Sequence, residues 1–178
     1  EGQAGNVLGE FLVEMVLLSQ VRGGVNDLAF DPVTQTLYAC PFGVAPVLVV
    51  DTGTGATNPL PNATGVGELA GLTYDSVNGV LYGADSDNDQ LVTIDVATGS
   101  AQAGPGFTAG VSPAAQLAYE PAADRVWLYD RALNATALFD VERADGILTA
   151  LDGFGFTFEG LALRTPTGEL YGIDMEKR

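Results

Sequence analysis

Tyr38, Tyr82, Trp127 and Tyr171 stand 44, 45 and 44 residues apart, and each closes the same phrase. The phrases are NDLAFDPVTQTLYAC, AGLTYDSVNGVLYGA, AQLAYEPAADRVWLY and EGLALRTPTGELYGI, with Leu28, Leu72, Leu117 and Leu161 in register. Each phrase is an apolar pair, an acidic turn and a second apolar run. Such a unit buries its apolar face only against the next unit. A period of this length filled with short strands predicts an all-β propeller.

The second unit parses by alternation. Leu72 and Tyr74 flank Thr73, the turn Asp75–Gly79 carries Asn-Gly, and Val80–Tyr82 begins a second strand. Leu91–Asp95 reads as a third strand, and Ala97-Thr98-Gly99 turns it into a fourth from Ser100 to Phe107. Four antiparallel strands per unit result. In the first unit Val47–Asp51 is the third strand; in the third unit Ala137–Asp140 takes that place, with Glu142–Gly146 as its turn. Asp51, Asp95 and Asp140 are thereby aligned, as strand-end residues that accept hydrogen bonds from their own turns. The aligned Leu and aromatic residues are expected core, and Cys40, a lone cysteine after the second strand, a buried apolar residue.

The units run over residues 24–67, 68–111, 112–156 and 157–178, forming a single domain of about four 44-residue repeats. The fourth holds only two strands, so strand material in residues 1–23, including an expected strand over Phe11–Val21, is available to complete it. Three arrangements satisfy this pattern. One is a four-bladed ring closed within the chain; another is a half-ring that pairs with a second copy as a homodimer of eight blades. The third is a piece of a longer repeat protein.

The formal charge is −16 and Lys177 is the only lysine. Nucleic acid is excluded as a partner, since phosphate binding needs many basic contacts, and anionic membrane surfaces are disfavoured for the same reason. No apolar run of 18 residues is present, so no membrane-inserting span is expected. Acidity of this kind resembles that of proteins from salt-adapted organisms, or else marks cation binding.

With no histidine and one cysteine, Ser-His-Asp and Cys-His catalysis and multi-cysteine metal sites are ruled out. Asp85, Asp87 and Asp89 form the best cation-binding candidate, because alternate carboxylates in one loop offer the hard oxygen ligands that calcium takes. The loop departs from the calcium-loop pattern, with Gln90 at the sixth position and Val96 at the twelfth. A second candidate is an acidic mouth. Loops joining second to third strands and loops entering first strands emerge on one face of a propeller, which groups Asp85, Asp130 and Asp174 with Asp27, Glu68 and Glu159. Converging carboxylates there would concentrate cations or a basic partner.

The run Gly71-Leu72-Thr73-Tyr74-Asp75, Gly79-Val80-Leu81-Tyr82-Gly83-Ala84-Asp85, Leu91-Val92-Thr93-Ile94-Asp95 and Thr98-Gly99 resembles the blade of secreted bacterial and archaeal propellers of the YVTN and NHL-like kind. The resemblance spans roughly residues 24–174. It implies a secreted or cell-surface protein in a group that includes surface proteins, protein-binding scaffolds and some lactonases. The histidine-containing and glutamate-plus-asparagine metal arrangements of the hydrolytic and lyase members are missing. The expectation is therefore a non-enzymatic module for binding or assembly, with a protein or glycan partner and no firm cofactor. The alternative is a divalent-cation-dependent hydrolase or lyase acting on a small or carbohydrate-like substrate.

Overall fold

The computed structural model describes residues 24–43, 46–61, 66–130, 138–151, 158–164 and 169–174. Fourteen strands and no helix occur among these residues. The first unit comprises β1 (Val25–Asp31), β2 (Thr36–Pro41), β3 (Leu48–Val50) and β4 (Thr57–Pro59); the second comprises β5 (Leu69–Asp75), β6 (Val80–Asp85), β7 (Gln90–Ile94) and β8 (Ala101–Gly106). The third comprises β9 (Ala115–Glu120), β10 (Arg125–Asp130), β11 (Leu138–Val141) and β12 (Leu148–Ala150), and β13 (Phe158–Arg164) pairs with β14 (Glu169–Asp174). Each of the first three units is a four-stranded antiparallel meander, and the last pair is a hairpin. This is the all-β repeat architecture expected from the 44-residue period. The expected strand over Phe11–Val21 lies outside the described residues.

Three apolar seams hold the units face to face. Between units one and two lie Ala29, Tyr38, Cys40, Leu72, Leu81 and Val92; between two and three, Ala84, Leu91, Leu117, Tyr119, Val126 and Leu128. Ala118, Trp127, Tyr129 and Leu138 meet Leu161, Leu163 and Leu170 in the third seam. The first strands β1, β5, β9 and β13 pack in that order, as the innermost strands of successive propeller blades do. Alternation within a strand sends one set of residues to each neighbouring unit: along β1, Ala29 and Asp31 are buried while Leu28 and Phe30 are exposed.

Three alignments differ from expectation. Leu28 and Tyr171 hold core positions of the repeat yet are 37% and 50% exposed, whereas Leu72 is 0% and Tyr38 4%. Each lies on the outward face of a terminal unit, where no further described unit covers it. Asp140 is not the third member of the turn series. In the first two units the turn after the third strand is closed by Gly55 N–H donating to the Asp51 carbonyl and Gly99 N–H to that of Asp95; in the third, Gly146 donates to Glu142. Asp140 instead pairs with Trp127 mid-strand, where Thr93 faces Tyr82, because unit three has two extra residues between its second and third strands.

Candidate functional site

The acidic residues are first of all turn formers. In Asp31, Asp51, Asp75, Asp85 and Asp95, Oδ1 accepts the backbone N–H groups two and three residues further on, at 2.8–3.3 Å. A carboxylate in this position replaces the missing partners of a reversing chain. The loop Asp85–Asp89 repeats the hairpin turn Asp75–Gly79 atom for atom in this respect. Asn88 Nδ2 donates to Asp85 Oδ2 at 2.8 Å as Asn78 Nδ2 does to Asp75 Oδ2. The fifth residue of both turns is left-handed, with φ of +50° at Asp89 and +72° at Gly79.

Each carboxylate of the cation-binding candidate has its own backbone partner. Asp85 is fully buried, and its Oδ2 also accepts from Gly67 N–H at 3.0 Å and Gln90 Nε2 at 3.1 Å. Burial pushes its pKa up, but the bonds from Asn88, Gly67 and Gln90 outweigh it and hold the carboxyl below the usual range. Asp87 Oδ2 accepts from Glu68 N–H at 2.9 Å, and Asp89 Oδ1 accepts from Val111 N–H at 2.7 Å. The loop is pressed so closely on the chain entering β5 that a Cβ on Gly67 would lie 2.3 Å from that of Asp87. Among the described residues no three His, Cys, Asp or Glu side chains are placed to share a metal ion.

Of the acidic-mouth residues, Asp85 and Glu68 lie on neighbouring segments, the β6–β7 turn and the chain entering β5, which are joined by the Gly67–Asp85 and Glu68–Asp87 bonds. Glu68 Oε1 accepts from Asn26 Nδ2 at 3.2 Å and Gly43 N–H at 3.0 Å, joining units one and two. Asp130, fully buried, receives Ser112 N–H and Ser112 Oγ, both at 2.6 Å, and so ties the end of β10 to the chain entering β9. The side chains of Glu159 and Asp174 lie outside the described residues; their backbones belong to β13 and β14.

Asp27 stands apart from the mouth, among the inner strands. Its Oδ1 accepts its neighbour Leu28 N–H at 2.9 Å, and its Oδ2 accepts Leu72 N–H at 2.9 Å and Leu117 N–H at 3.2 Å. Leu28, Leu72 and Leu117 are the aligned leucines of the repeat, so one carboxyl group binds the same backbone position in three successive units. Burial pushes its pKa up to about 7, against the downward pull of the Leu72, Leu28 and Leu117 amides. Cys40 Sγ lies 3.5 Å from the Asp27 carbonyl, and burial followed by the Asp27 charge drives this thiol far above its ordinary pKa. At the equivalent place in unit two is Gly71, where a Cβ would lie 3.0 Å from Leu117 N; in unit three it is Gln116, whose Oε1 is buried without a partner.

At the opposite end of the inner strands, tyrosines latch each unit to the one before. The Tyr74 hydroxyl of β5 faces Asp31 of unit one, and the Tyr119 hydroxyl of β9 faces Asp75 of unit two while donating its hydrogen to Asp124 Oδ1 at 2.9 Å. Arg143 completes the second latch. Its Nη1 meets buried Asp75 Oδ2 at 3.0 Å, its Nη2 meets Asp124 Oδ2 at 2.8 Å, and its guanidinium lies 5.9 Å from the Tyr82 ring centre. Between the latches the four inner strands surround an axial cavity of about 270 Å³, with Phe30, Tyr74, Tyr119 and Leu163 among its walls. Sequence reading missed Arg143, the latches and the cavity. The pairs Phe30-Asp31, Tyr74-Asp75 and Tyr119-Glu120 recur at 44 and 45 residues, and the hydroxyl on the second and third alone is the signal that was present.

No protein-family model matches this chain, and no curated protein does. Solved structures do resemble it. A chain of the nidogen/laminin complex superposes with a TM-score of 0.66 at 14% identity, over 84% of this chain and 56% of its own length. A protein of unknown function from Bacteroides thetaiotaomicron VPI-5482 gives 0.65 at 17% identity, over 83% and 41%. The glutaminyl cyclase of Myxococcus xanthus gives 0.62 at 14% identity, over 83% and 66%. At these identities the likeness concerns the fold alone, and this chain spans roughly two-fifths to two-thirds of the length of those structures.

Proposed function

We propose that this chain is a non-enzymatic propeller module of the YVTN or NHL-like kind, secreted or displayed at the cell surface, that works by binding and assembly. Residues 1–178 then form one domain, with repeat units at 24–67, 68–111, 112–156 and 157–178 joined by 1–23. The observation that carries the reading is the engagement of the candidate carboxylates. Asp27, Glu68, Asp85, Asp87, Asp89 and Asp130 are each held by hydrogen-bond donors that fasten strand to loop or unit to unit. Groups so engaged serve the scaffold, which leaves recognition to the loops and to the outward faces of the terminal units.

Those faces favour assembly. Phe30 is 51% exposed at one end and Tyr171 50% at the other, while of their counterparts between units Tyr38, Tyr119 and Trp127 are buried and Tyr74 and Tyr82 partly so. Two copies meeting through such faces make a symmetric pair of half-rings. Light scattering tests this directly: a mass of about 37 kDa, twice the 18.4 kDa chain, is the expected result, retained in about 1 M salt because the contact is apolar. A mass of 18.4 kDa at every concentration removes self-assembly. Titration calorimetry separates the cation-dependent hydrolase or lyase: saturable calcium binding at millimolar concentration, lost in Asp87→Ala, would overturn the non-enzymatic reading.

A further inference from the structure

We propose that the axial cavity between the tyrosine latches is a binding site for a small neutral aromatic molecule of one or two fused rings. Its volume is about 270 Å³. An apolar cavity of roughly 150 Å³ is enough for benzene, so this one takes a two-ring compound without displacing its walls. Three of those walls are aromatic rings, Phe30, Tyr74 and Tyr119, supplied by three different units. Rings so disposed favour an aromatic guest through offset and edge-on contact.

The walls are also fixed before any ligand arrives. The Tyr119 hydroxyl donates to Asp124 Oδ1 at 2.9 Å, and the Tyr74 ring is stacked on Tyr38, with ring centres 6.2 Å apart, while its hydroxyl faces Asp31. Their rings therefore lose little freedom on binding, which is the condition under which a small contact area yields measurable affinity. Leu28 and Leu117, whose N–H groups the Asp27 carboxyl holds, lie at the end of the cavity nearer the acidic loops. The cavity thus has a braced floor at that end and opens toward the hairpin turns.

Neutrality of the ligand follows from what is absent from the walls. In a chain of net charge −16, no Asp, Glu, Lys or Arg lines this cavity among the described residues. A charged guest would lose hydration without gaining a counter-ion. The hydroxyl-bearing Thr73 and Ser76 line one side and suit a single polar substituent, such as a phenolic hydroxyl. Leu28 and Phe30 remain 37% and 51% exposed, apolar surface that a guest would remove from water.

The probe is 2-naphthol, titrated into the intact chain and followed by its fluorescence. One saturable site per chain is expected. Ala162→Trp, at an exposed residue of the cavity wall, should weaken binding at least tenfold, and Phe30→Ser should weaken it too, each with little change in thermal midpoint. Ile147→Trp, exposed and outside the cavity, should leave affinity unchanged. Naphthalene-2-sulfonate should bind at least tenfold more weakly than 2-naphthol. No saturable binding up to the solubility limit, equal affinity in both Ala162→Trp and Phe30→Ser, or equal affinity for the sulfonate would overturn the proposal. Phe30 and Ala162 also stand on the outward faces of the terminal units, so light scattering on each variant accompanies the titration: a loss of 2-naphthol binding at unchanged mass assigns it to the cavity, and a loss seen only with a change of mass overturns the proposal.

Discussion

At the scale of single residues, the hairpin turns use one backbone recipe filled with different side chains. The fifth position of the turn between first and second strands is left-handed in three units, with Gln35 at φ +56°, Gly79 at +72° and Asp124 at +53°. Glycine adopts that conformation freely, while a side chain costs about 1–2 kcal/mol there, partly offset by glycine's greater loss of freedom on folding. Gln35→Gly should therefore stabilise the chain by about 0.5–1 kcal/mol, read as a raised denaturation midpoint; a lowered one would contradict the assignment. Asp85 presents the opposite case. Asp85→Ala strips the partner from the Gly67, Asp87 and Asn88 amides, and should cost about 2–4 kcal/mol in urea unfolding. A loss under 0.5 kcal/mol would mean that this carboxylate is free for another role.

At the scale of elements, the first two seams between units each combine apolar burial with one polar latch. Tyr119 meets Asp75 across the second seam, and Arg143 holds the same carboxylate from β11's following turn. Burial pushes Asp75 up, but Asn78 and Val77 donate to it, the Tyr119 hydroxyl dipole faces it, and together they bring its pKa below the ordinary value. Tyr119→Phe keeps the ring and removes the bond, so a loss of about 1–2 kcal/mol is expected. In a double-mutant cycle with Asp75→Asn, coupling of at least about 0.5 kcal/mol is expected, and strict additivity would show that the two side chains do not cooperate. The hairpins themselves were legible in the sequence, since Leu72, Tyr74 and Tyr82 alternate about an Asn-Gly turn. The latch was not, because Arg143 is 68 residues from Asp75 and belongs to no phrase of the repeat.

At the scale of the whole molecule, Asp27 links three units through a single carboxyl group, and this makes stability depend on pH. Its folded pKa of about 7 exceeds the ordinary 3.8, so between these values the folded chain binds more protons than the unfolded one. Stability from this group is complete below about pH 4 and is lost as the pH rises through about 7. The turn aspartates act in the reverse sense, because their lowered pKa values withdraw stability in acid. Asp27→Asn keeps an acceptor oxygen for Leu72 and Leu117 and cannot ionise. Its thermal midpoint relative to the unaltered chain should therefore rise from pH 4.5 to pH 8, and a difference that is constant across this range would refute the linkage.

The repeat, the strands and the turn chemistry were written in the chain, because alternation, Asn-Gly and aspartate-led turns act within a few residues. Its composition also limited the chemistry, since a chain without histidine and with one cysteine lacks the usual nucleophile and metal pairs. The fate of each carboxylate was decided only in three dimensions. Asp27 and Asp85 are both aspartates near a strand end, yet one is pushed toward neutrality among inner strands and the other is kept ionised by its donors. The same holds for the cavity: its walls come from Phe30, Tyr74, Tyr119 and Leu163, which no local pattern unites and only the packing of four inner strands around one axis brings together.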